Sequence, residues 1–545
     1  MKYWGFKISR THNPILTEVS KMFKDDIEYK VIPKESVVRR EYDRFISDSN
    51  GNCYKDFKIF LTKEFSDSLP IKPSKTAKYM GFSPILPPYR PQKVEKYNKV
   101  VYEYITSKNF KTKDQYRELI ERIPHRVCVS PGWASQQNEF QIFCNPTREI
   151  DTKSILFLLR ERFSRLKLPK MDSIEPIDVF LVGTNPDASP GIIPEMIFGR
   201  NSKHKDVDEI IKYISCGVLR QAMTTENYSS NLPWQVGGRT RQQKHEPGSD
   251  LRSRFLIAPD GVEKICGLAC VSFFQEKLSI INKSRFDNEI QLGMDHMNGL
   301  FGKSFDQRIH KYTYAVELDL KRFDQHVGPN VIKVAFSILR SCYPKGKEYD
   351  NLFNYYCSSF INKNIIIPGG YIYRVKKSIA TGSPFTSIIG NLCNWIIQTC
   401  VLKKMNIKHY DLMVYGDDTL ILLPEKNVFC EFTYKKLLFD MFEQTAEPIS
   451  LKRINRKSLY EDQPTFLKTF SYMGLPGRTF EDICEKLLFP ERNHGDLYMW
   501  GIRTSQLLYS SPFNFKSREM IRSFYRFINM KIYDEGKGKK KVSIN

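Results

Sequence analysis

The sequence predicts an α+β fold of composite size, on three observations. Its 545 residues allow roughly three to four domain-sized units or one large composite fold. Period-two alternation of apolar residues over 314–320 and 412–423 predicts strands. Helical spacing predicts helices over 152–170 and 428–445. Hydrophobic residues make up 41% and aromatics 13%, enough for a buried core, so a wholly disordered chain is excluded.

Taken in order, residues 1–110 mix short apolar pieces with Pro and Lys. Within them, Ile85-Leu-Pro-Pro-Tyr-Arg-Pro reads as an extended strap. The helix at 152–170 is expected to stop near Pro169. Pro233 to Asp260 concentrates glycine, proline and charge and reads as a long exposed basic loop. Residues 378–402 carry no charge and imitate a membrane span. Asn391, Asn394 and Gln398 in the middle, with Thr381-Gly-Ser-Pro at the start, argue against one. The end of the chain, with Lys539-Lys540-Lys541, reads as a mobile basic arm.

The first residues contain no apolar run of the kind a secretory signal needs. Twelve cysteines without a C-x-x-C pair fit a reduced, intracellular setting, and Cys266 and Cys270 sit in an apolar stretch that reads as core, not as a zinc site. Lys and Arg number 84 against 61 Asp and Glu, a formal net charge of +23. That excess points to a polyanionic partner, nucleic acid or an anionic membrane surface.

The sharpest feature is acidic. Tyr415-Gly416-Asp417-Asp418 lies between two apolar runs and predicts a β-hairpin with its turn at Gly416-Asp417-Asp418. Gly-Asp is also ordinary turn chemistry. A second acidic strand places Asp319 after an apolar run, with Asp324 five residues on, where strand gives way to helix. Two strands that end in Asp can gather three carboxylates, a cluster that repels itself unless cations neutralise it. Two Mg2+ ions held by aspartates from separate elements support in-line phosphoryl transfer. Asp319 and Asp417 are the expected principal ligands, with Asp418 assisting.

At this point the pattern resembles the viral RNA-dependent RNA polymerases. Asp319-x4-Asp324 looks like that family's motif A and Tyr415-Gly-Asp-Asp like motif C. Between them, Thr381-Gly382-Ser383-Pro384-Phe385-Thr386, with Gly390, Asn391 and Asn394 beyond, resembles motif B. The Ser/Thr-Gly-Ser-x-Phe-Thr form is most like the partitivirus and picobirnavirus polymerases of double-stranded RNA viruses. Arg322-Phe-Asp-Gln-His-Val also resembles the tombusvirus-like motif A. Asp250-Leu-Arg252-Ser-Arg254 resembles motif F, and Thr465-Phe466-Leu467-Lys468 resembles motif E.

The resemblance implies a right-hand polymerase fold and template-directed RNA synthesis from ribonucleoside triphosphates. Mg2+ would be the cofactor, with Mn2+ as a substitute. The implied order is an N-terminal extension and strap (1–165), fingers (166–311), palm with motif A (312–340), a fingers insertion (341–375), palm with motifs B to E (376–475), and thumb with basic tail (476–545). Arg254, then Arg252, would meet the triphosphate, with Arg239, Arg241 and Lys244 as outer contacts. Asp324, Ser383, Thr386 and Asn391 or Asn394 would bind the nucleotide and read its sugar. Phe466, Leu467 and Lys468 would grip the primer, and Lys452, or alternatively Lys457, would protonate the leaving pyrophosphate. RNA and nucleotides are the implied partners, with a viral capsid protein as a further one. The implied location is the host cytoplasm, inside the virus particle.

Two other classes remain open on sequence. A reverse transcriptase shares the paired aspartates, but Asp324 stands where that family places a bulky aromatic. An RNA-packaging protein would explain the charge and leave the ordered motifs unexplained.

Overall fold

A computed structural model of the chain describes residues 69–82, 93–95, 99–107, 126–183, 191, 205–230, 232–244, 252–293, 300–455, 463–472, 474–488, 496–510 and 514–538. Strands are numbered in chain order: β1 (Ala77–Phe82), β2 (Val94–Glu95), β3 (Arg126–Val129), β4 (Trp234–Arg239), β5 (Arg241–Lys244) and β6 (Arg254–Pro259). Next come β7 (Tyr314–Leu320), β8 (Asn362–Ile366), β9 (Tyr371–Lys376), β10 (Asp411–Tyr415) and β11 (Asp418–Leu423). The last are β12 (Ala446–Arg453), β13 (Phe470–Tyr472) and β14 (Leu475–Gly477).

The centre is an antiparallel sheet in the order β10-β11-β7-β12. Alternation sends successive side chains to opposite faces. Val316, Leu318 and Leu320 of β7 join the main core, which includes the helix Thr386–Lys404. Ala315, Met413, Leu420 and Leu422 face the other way and pack with Phe305 and Phe466. Asp319 and Asp418 share this second face, at the end where the apolar cover stops. The helix behind is buried on every side from Ile388 to Leu402. Its lack of charge therefore belongs to a core helix; among the described residues no helix is long and apolar enough to cross a membrane.

A larger sheet, in the order β1-β9-β8-β4-β6, stands beside this core. Lys363, fully buried in β8, ties the two together: its Nζ donates to the carbonyls of Lys377 (2.8 Å) and Ser378 (2.9 Å), just before the Thr381-Gly382 loop. A small sheet of order β2-β3-β5 carries basic residues toward the same side.

Several expectations are corrected. Pro233 to Asp260 is not a long loop, because β4, β5 and β6 occupy most of it. Gly238 has no side chain to keep β4 from Gln136 and Pro131, and a Cβ there would lie 2.4 Å from the Pro131 Cβ. The helix expected over 152–170 ends at Leu159, with a separate 3-10 turn at Phe163–Arg165. Between them Arg162 is drawn to the buried Glu289 and over the Tyr410 ring at 3.9 Å, contacts that a continuous helix would not serve. The helix expected over 428–445 spans Glu431–Phe442 and ends at Glu443, whose φ of 50° closes the last turn. Cys266 and Cys270 are buried in the core as expected, and among the described residues none of the eleven cysteines is in a disulfide. The Ile85 strap, Asp250, Lys457 and the Lys539-Lys541 tail lie outside the described residues.

β1 pairs with β9, and the helix Lys99–Thr106 packs into a separate cluster made with the C-terminal helices Phe480–Leu488, Leu497–Ser510 and Phe515–Gly538. Tyr104 meets Phe524 edge-on at 4.8 Å, and Phe524 lies 5.6 Å from Trp500. Phe524 is fully buried, so Phe524→Ala should cost about 3–5 kcal/mol, lost transfer energy plus cavity. Urea unfolding followed by far-UV circular dichroism measures this; a loss under about 1 kcal/mol would contradict the packing described.

Candidate active site

The β10–β11 hairpin pairs Tyr415 with Asp418, leaving Gly416-Asp417 as a two-residue loop. Gly416 has φ 61° and Asp417 does not share the positive φ, the pattern of a type II′ turn, whose first position favours glycine. On the other side of β11, Asp418 stands opposite Asp319 of β7. The Asp319 and Asp417 carboxyls hydrogen-bond to each other. Arg322, at φ 50°, turns the chain from β7 into the short helix Phe323–His326, which carries Asp324. The backbone of Asp324 accepts from Ile379 N at 2.8 Å, joining it to the strand end before the Thr381 loop.

Withdrawal from water and mutual repulsion hold these carboxyls protonated well above the usual range. Asp319 is pushed up to about 6, first by burial and then by Asp417, against Lys468 and Arg241. Asp418 rises to about 7, by burial, Asp417 and Asp319, and Asp324 to about 7, by burial and Asp417. Asp417 is raised by burial and opposed by Arg254, among others. The cations that act on the cluster are therefore Arg254, Arg241, Lys468 and Arg478. Arg254 and Arg241 come from the strands that sequence alone reads as a loop.

Arg252 is placed differently. Its Nη1 lies 3.2 Å from Glu139 Oε1, and Arg322 Nη2 lies 3.0 Å from the same oxygen. Gln325 Nε2 donates to Glu139 Oε2 at 2.8 Å. Glu139, on the helix Trp133–Cys144, thus ties the segment just before β6 to the turn just after β7. No local pattern in the sequence marks it. Arg239 pairs with Arg254 across β4 and β6 and is exposed. Lys244 pairs with Arg126 in β5, and its side chain lies outside the described set.

The Thr381–Thr386 loop is stitched to β6. Gly382 N donates to Ile257 O at 2.8 Å and Ile257 N to Thr381 Oγ1 at 3.2 Å. A Cβ on Gly382 would lie 2.8 Å from the backbone of both Ile257 and Ala258, so only glycine fits. Ser383 Oγ accepts from Phe385 N, and Thr386 Oγ1 donates to Ala380 O. Ser383, Thr386 and Asp324 are half-buried, and Asp324 is close enough to Asp417 to feel its charge.

Asn391 and Asn394, expected to bind the nucleotide, lie behind the hairpin turn. Both are buried, and they hold the hairpin turn. Gly416 N donates to Asn391 Oδ1 at 3.2 Å, while Asn394 Nδ2 donates to Gly416 O and to Thr419 Oγ1, each at 2.9 Å. Behind them Gln398 donates to Asn394 and Tyr434 to Gln398. Asn391 Nδ2 also donates to Ser387 O at 2.6 Å, so both amides are hydrogen-bonded within the protein.

Lys452 is also relocated. It stands opposite Ala315, four residues along β7 from Asp319 or about 13 Å, and pairs with Glu317 at 3.0 Å. Glu317 accepts from Thr465 N as well, fixing the start of the next segment. There Phe466 is buried as an anchor under the sheet, and Leu467 packs beside it. Both Leu467 and Lys468 have positive φ, forming a tight turn that leaves Lys468 exposed beside the acids. Of the three residues expected to grip a primer, Lys468 alone presents its side chain to the open side.

Among the described residues no three His, Cys, Asp or Glu side chains form a ready-made metal group. The donor chemistry nevertheless suits a hard divalent cation: three carboxylates, two in contact, each raising the others' affinity for a positive charge.

Residues 255–445 match a family model described as viral RNA-dependent RNA polymerase. The match begins one residue after Arg254 and takes in the rest of β6, the Thr381 loop, Asp319 and Asp324, and the Asp417-Asp418 hairpin. The chain is 24% identical over 302 residues to the RNA-directed RNA polymerase of Cryptosporidium parvum virus 1, covering 51% of this chain and 54% of that protein. It is 24% identical over 204 residues to the non-structural polyprotein 1AB of Human astrovirus-5, 36% of this chain and 14% of the polyprotein. A bovine enteric calicivirus genome polyprotein is 25% identical over 144 residues, 25% of this chain and 6% of the polyprotein. The chain thus spans about half or less of the length of these relatives.

The raised carboxyls carry a stability consequence. Asp319 and Asp418 release protons near 3.8 when unfolded but only at about 6 and 7 when folded. The folded chain therefore binds more protons between those values, and the cluster's contribution falls as pH rises from about 4 to about 7. Without divalent ions at pH 7.5, Asp418→Asn should raise Tm by about 1–3 °C, and the gain should vanish near pH 4. Scanning calorimetry in EDTA would reveal a fault in this electrostatic picture if the variant melted lower at pH 7.5.

Proposed function

We propose that the chain is an RNA-directed RNA polymerase that joins ribonucleotides on an RNA template. The observation that carries this reading is the contact of Asp319 with Asp417, with Asp418 opposite, all three inside the segment that matches the polymerase family, set against Arg254, Arg241 and Lys468 from just outside it. Few other chemistries call for a self-repelling carboxylate cluster set against phosphate-binding cations.

In this reading the central sheet is the palm. The outer sheet with β4–β6 forms the fingers, the C-terminal helices form the thumb, and residues 69–165 link them. Arg254 and Arg241 receive the triphosphate; guanidinium forks match phosphate oxygens in pairs. Lys468 lies against the primer end and offsets charge next to Asp319 and Asp418. Asp324, with Ser383 and Thr386, faces the ribose, where a 2′-hydroxyl can donate and accept. Glu139 keeps Arg252 and Arg322 extended until phosphate oxygens compete for them. Two Mg2+ ions, when bound to Asp319, Asp417 and Asp418, would activate the primer 3′-hydroxyl and stabilise the leaving pyrophosphate. The form of the Thr381–Thr386 loop supports an origin in a double-stranded RNA virus, with synthesis inside a particle in the host cytoplasm and a capsid protein as partner.

Asp417→Asn should reduce template-directed incorporation at least a thousandfold while leaving RNA binding within about threefold of wild type. Lys468→Ala should reduce it more than tenfold, and Lys452→Ala less than threefold. Primer-extension gels with matched filter binding measure these. Near-normal extension by Asp417→Asn would remove the proposal.

A further inference from the structure

Away from the acids, the outer sheet and the helix Lys347–Ile361 enclose a second polar pocket of about 230 Å3. Trp234 lines it, at the opposite end of β4 from Arg239. The pocket thus lies about 17 Å along that strand from the Arg239–Arg254 pair. None of its lining residues takes part in the proposed synthesis.

Its two walls differ in chemistry. Arg374 and Lys376 stand two apart on β9 and so share one face of the sheet. Their cross-strand neighbours are Asn364 and Asn362. Arg374 Nε donates to Asn364 Oδ1 at 2.8 Å, which fixes the guanidinium plane. This wall offers cations and N–H donors. Opposite, Tyr355 and Ser359 stand over the buried Glu263. Ser359 Oγ donates to Glu263 Oε1 at 2.6 Å, and Tyr355 OH donates to Oε2. Tyr355 OH also lies 3.0 Å from Ser230 Oγ, which itself reaches Glu263. A hydroxyl has one proton; once Ser359 gives its own to Glu263, the Ser359 oxygen offers the pocket only lone pairs, with Tyr355 sharing its oxygen with Ser230. One wall therefore takes an anion and the other takes N–H or O–H donors, with Trp234 at the pocket's edge packed into the core on the other face of the sheet.

We propose that this pocket binds a nucleoside phosphate, its phosphate on Arg374 and Lys376 and its base or ribose donors on Tyr355 and Ser359. Inorganic phosphate would leave the acceptor wall unused. The ligand is either a free nucleotide or one nucleotide of an RNA strand, which share this chemistry. The proposal does not rest on the polymerase reading, since it invokes neither the carboxylates nor synthesis.

The test is equilibrium dialysis of the full chain in EDTA, where divalent ions cannot hold a triphosphate on the aspartates. ATP and GTP form one arm, a 12-nucleotide RNA the second, and inorganic triphosphate the third. Metal-independent binding is expected, weakened at least tenfold by both Lys376→Glu and Arg374→Gln, with inorganic triphosphate at least tenfold weaker than the nucleotides. Lys376 is exposed, so its substitution leaves the core intact. Weakening in the ATP and GTP arm assigns the site to free nucleotide; weakening confined to the RNA arm assigns it to a strand. The proposal is overturned if neither arm binds in EDTA, if both variants bind like wild type in both arms, or if inorganic triphosphate binds as tightly as ATP.

Discussion

The repulsion among Asp319, Asp417 and Asp418 is the constraint around which the rest of the molecule is arranged. Strand register brings the end of β7 and the tip of the β10–β11 hairpin into apposition: Asp418 stands opposite Asp319, with Asp417 in contact. Such an arrangement is costly to ionise, and the folded chain meets the cost by retaining protons and by bringing Arg254, Arg241, Lys468 and Arg478 close. A turn strained by like charge needs rigid support. The Asn391–Asn394–Gln398–Tyr434 hydrogen bonds supply it from the buried helix behind.

The same constraint explains why distant segments converge on one point. Cations must come from outside the acidic sheet, so they arrive on β5 and β6 from one side and on the 467–468 turn from the other. The β2-β3-β5 sheet connects the first of these to residues next to the helix Lys99–Thr106, which is packed into the C-terminal cluster. Glu139 sits at the junction, holding Arg252 and Arg322 with one carboxylate. Within this network, Gly382 lets the Thr381 loop lie directly on β6, the strand that carries Arg254.

What was legible in the sequence is what local chemistry determines. The β7 strand, the Gly416-Asp417 turn and the three aspartates follow from alternation, turn residues and charge within a dozen positions. The strands β4–β6 were hidden because glycine and arginine, which suit loops, here serve close approach to Pro131 and the display of cations. Glu139, 113 residues from Arg252 and 183 from Arg322, leaves no local trace. Lys452 and Glu317 are 135 residues apart, so a lysine that looks free along the sequence is paired in space. The two asparagines are recognisable as special for being polar in an apolar helix, yet whether they serve a ligand or the backbone depends on where the hairpin tip lies. That position is a tertiary fact.

The most direct measurement is Mn2+ binding to the metal-free chain, followed by water-proton relaxation or electron paramagnetic resonance, in wild type and Asp417→Asn. Mn2+ is a close stand-in for Mg2+ at oxygen ligands. The expected result is saturable uptake at pH 7.5 that weakens at least tenfold in the variant and declines below about pH 6, as Asp319 and Asp418 take up protons. Equal uptake by Asp417→Asn, or uptake by the wild type that does not change between pH 5 and pH 7.5, would contradict it.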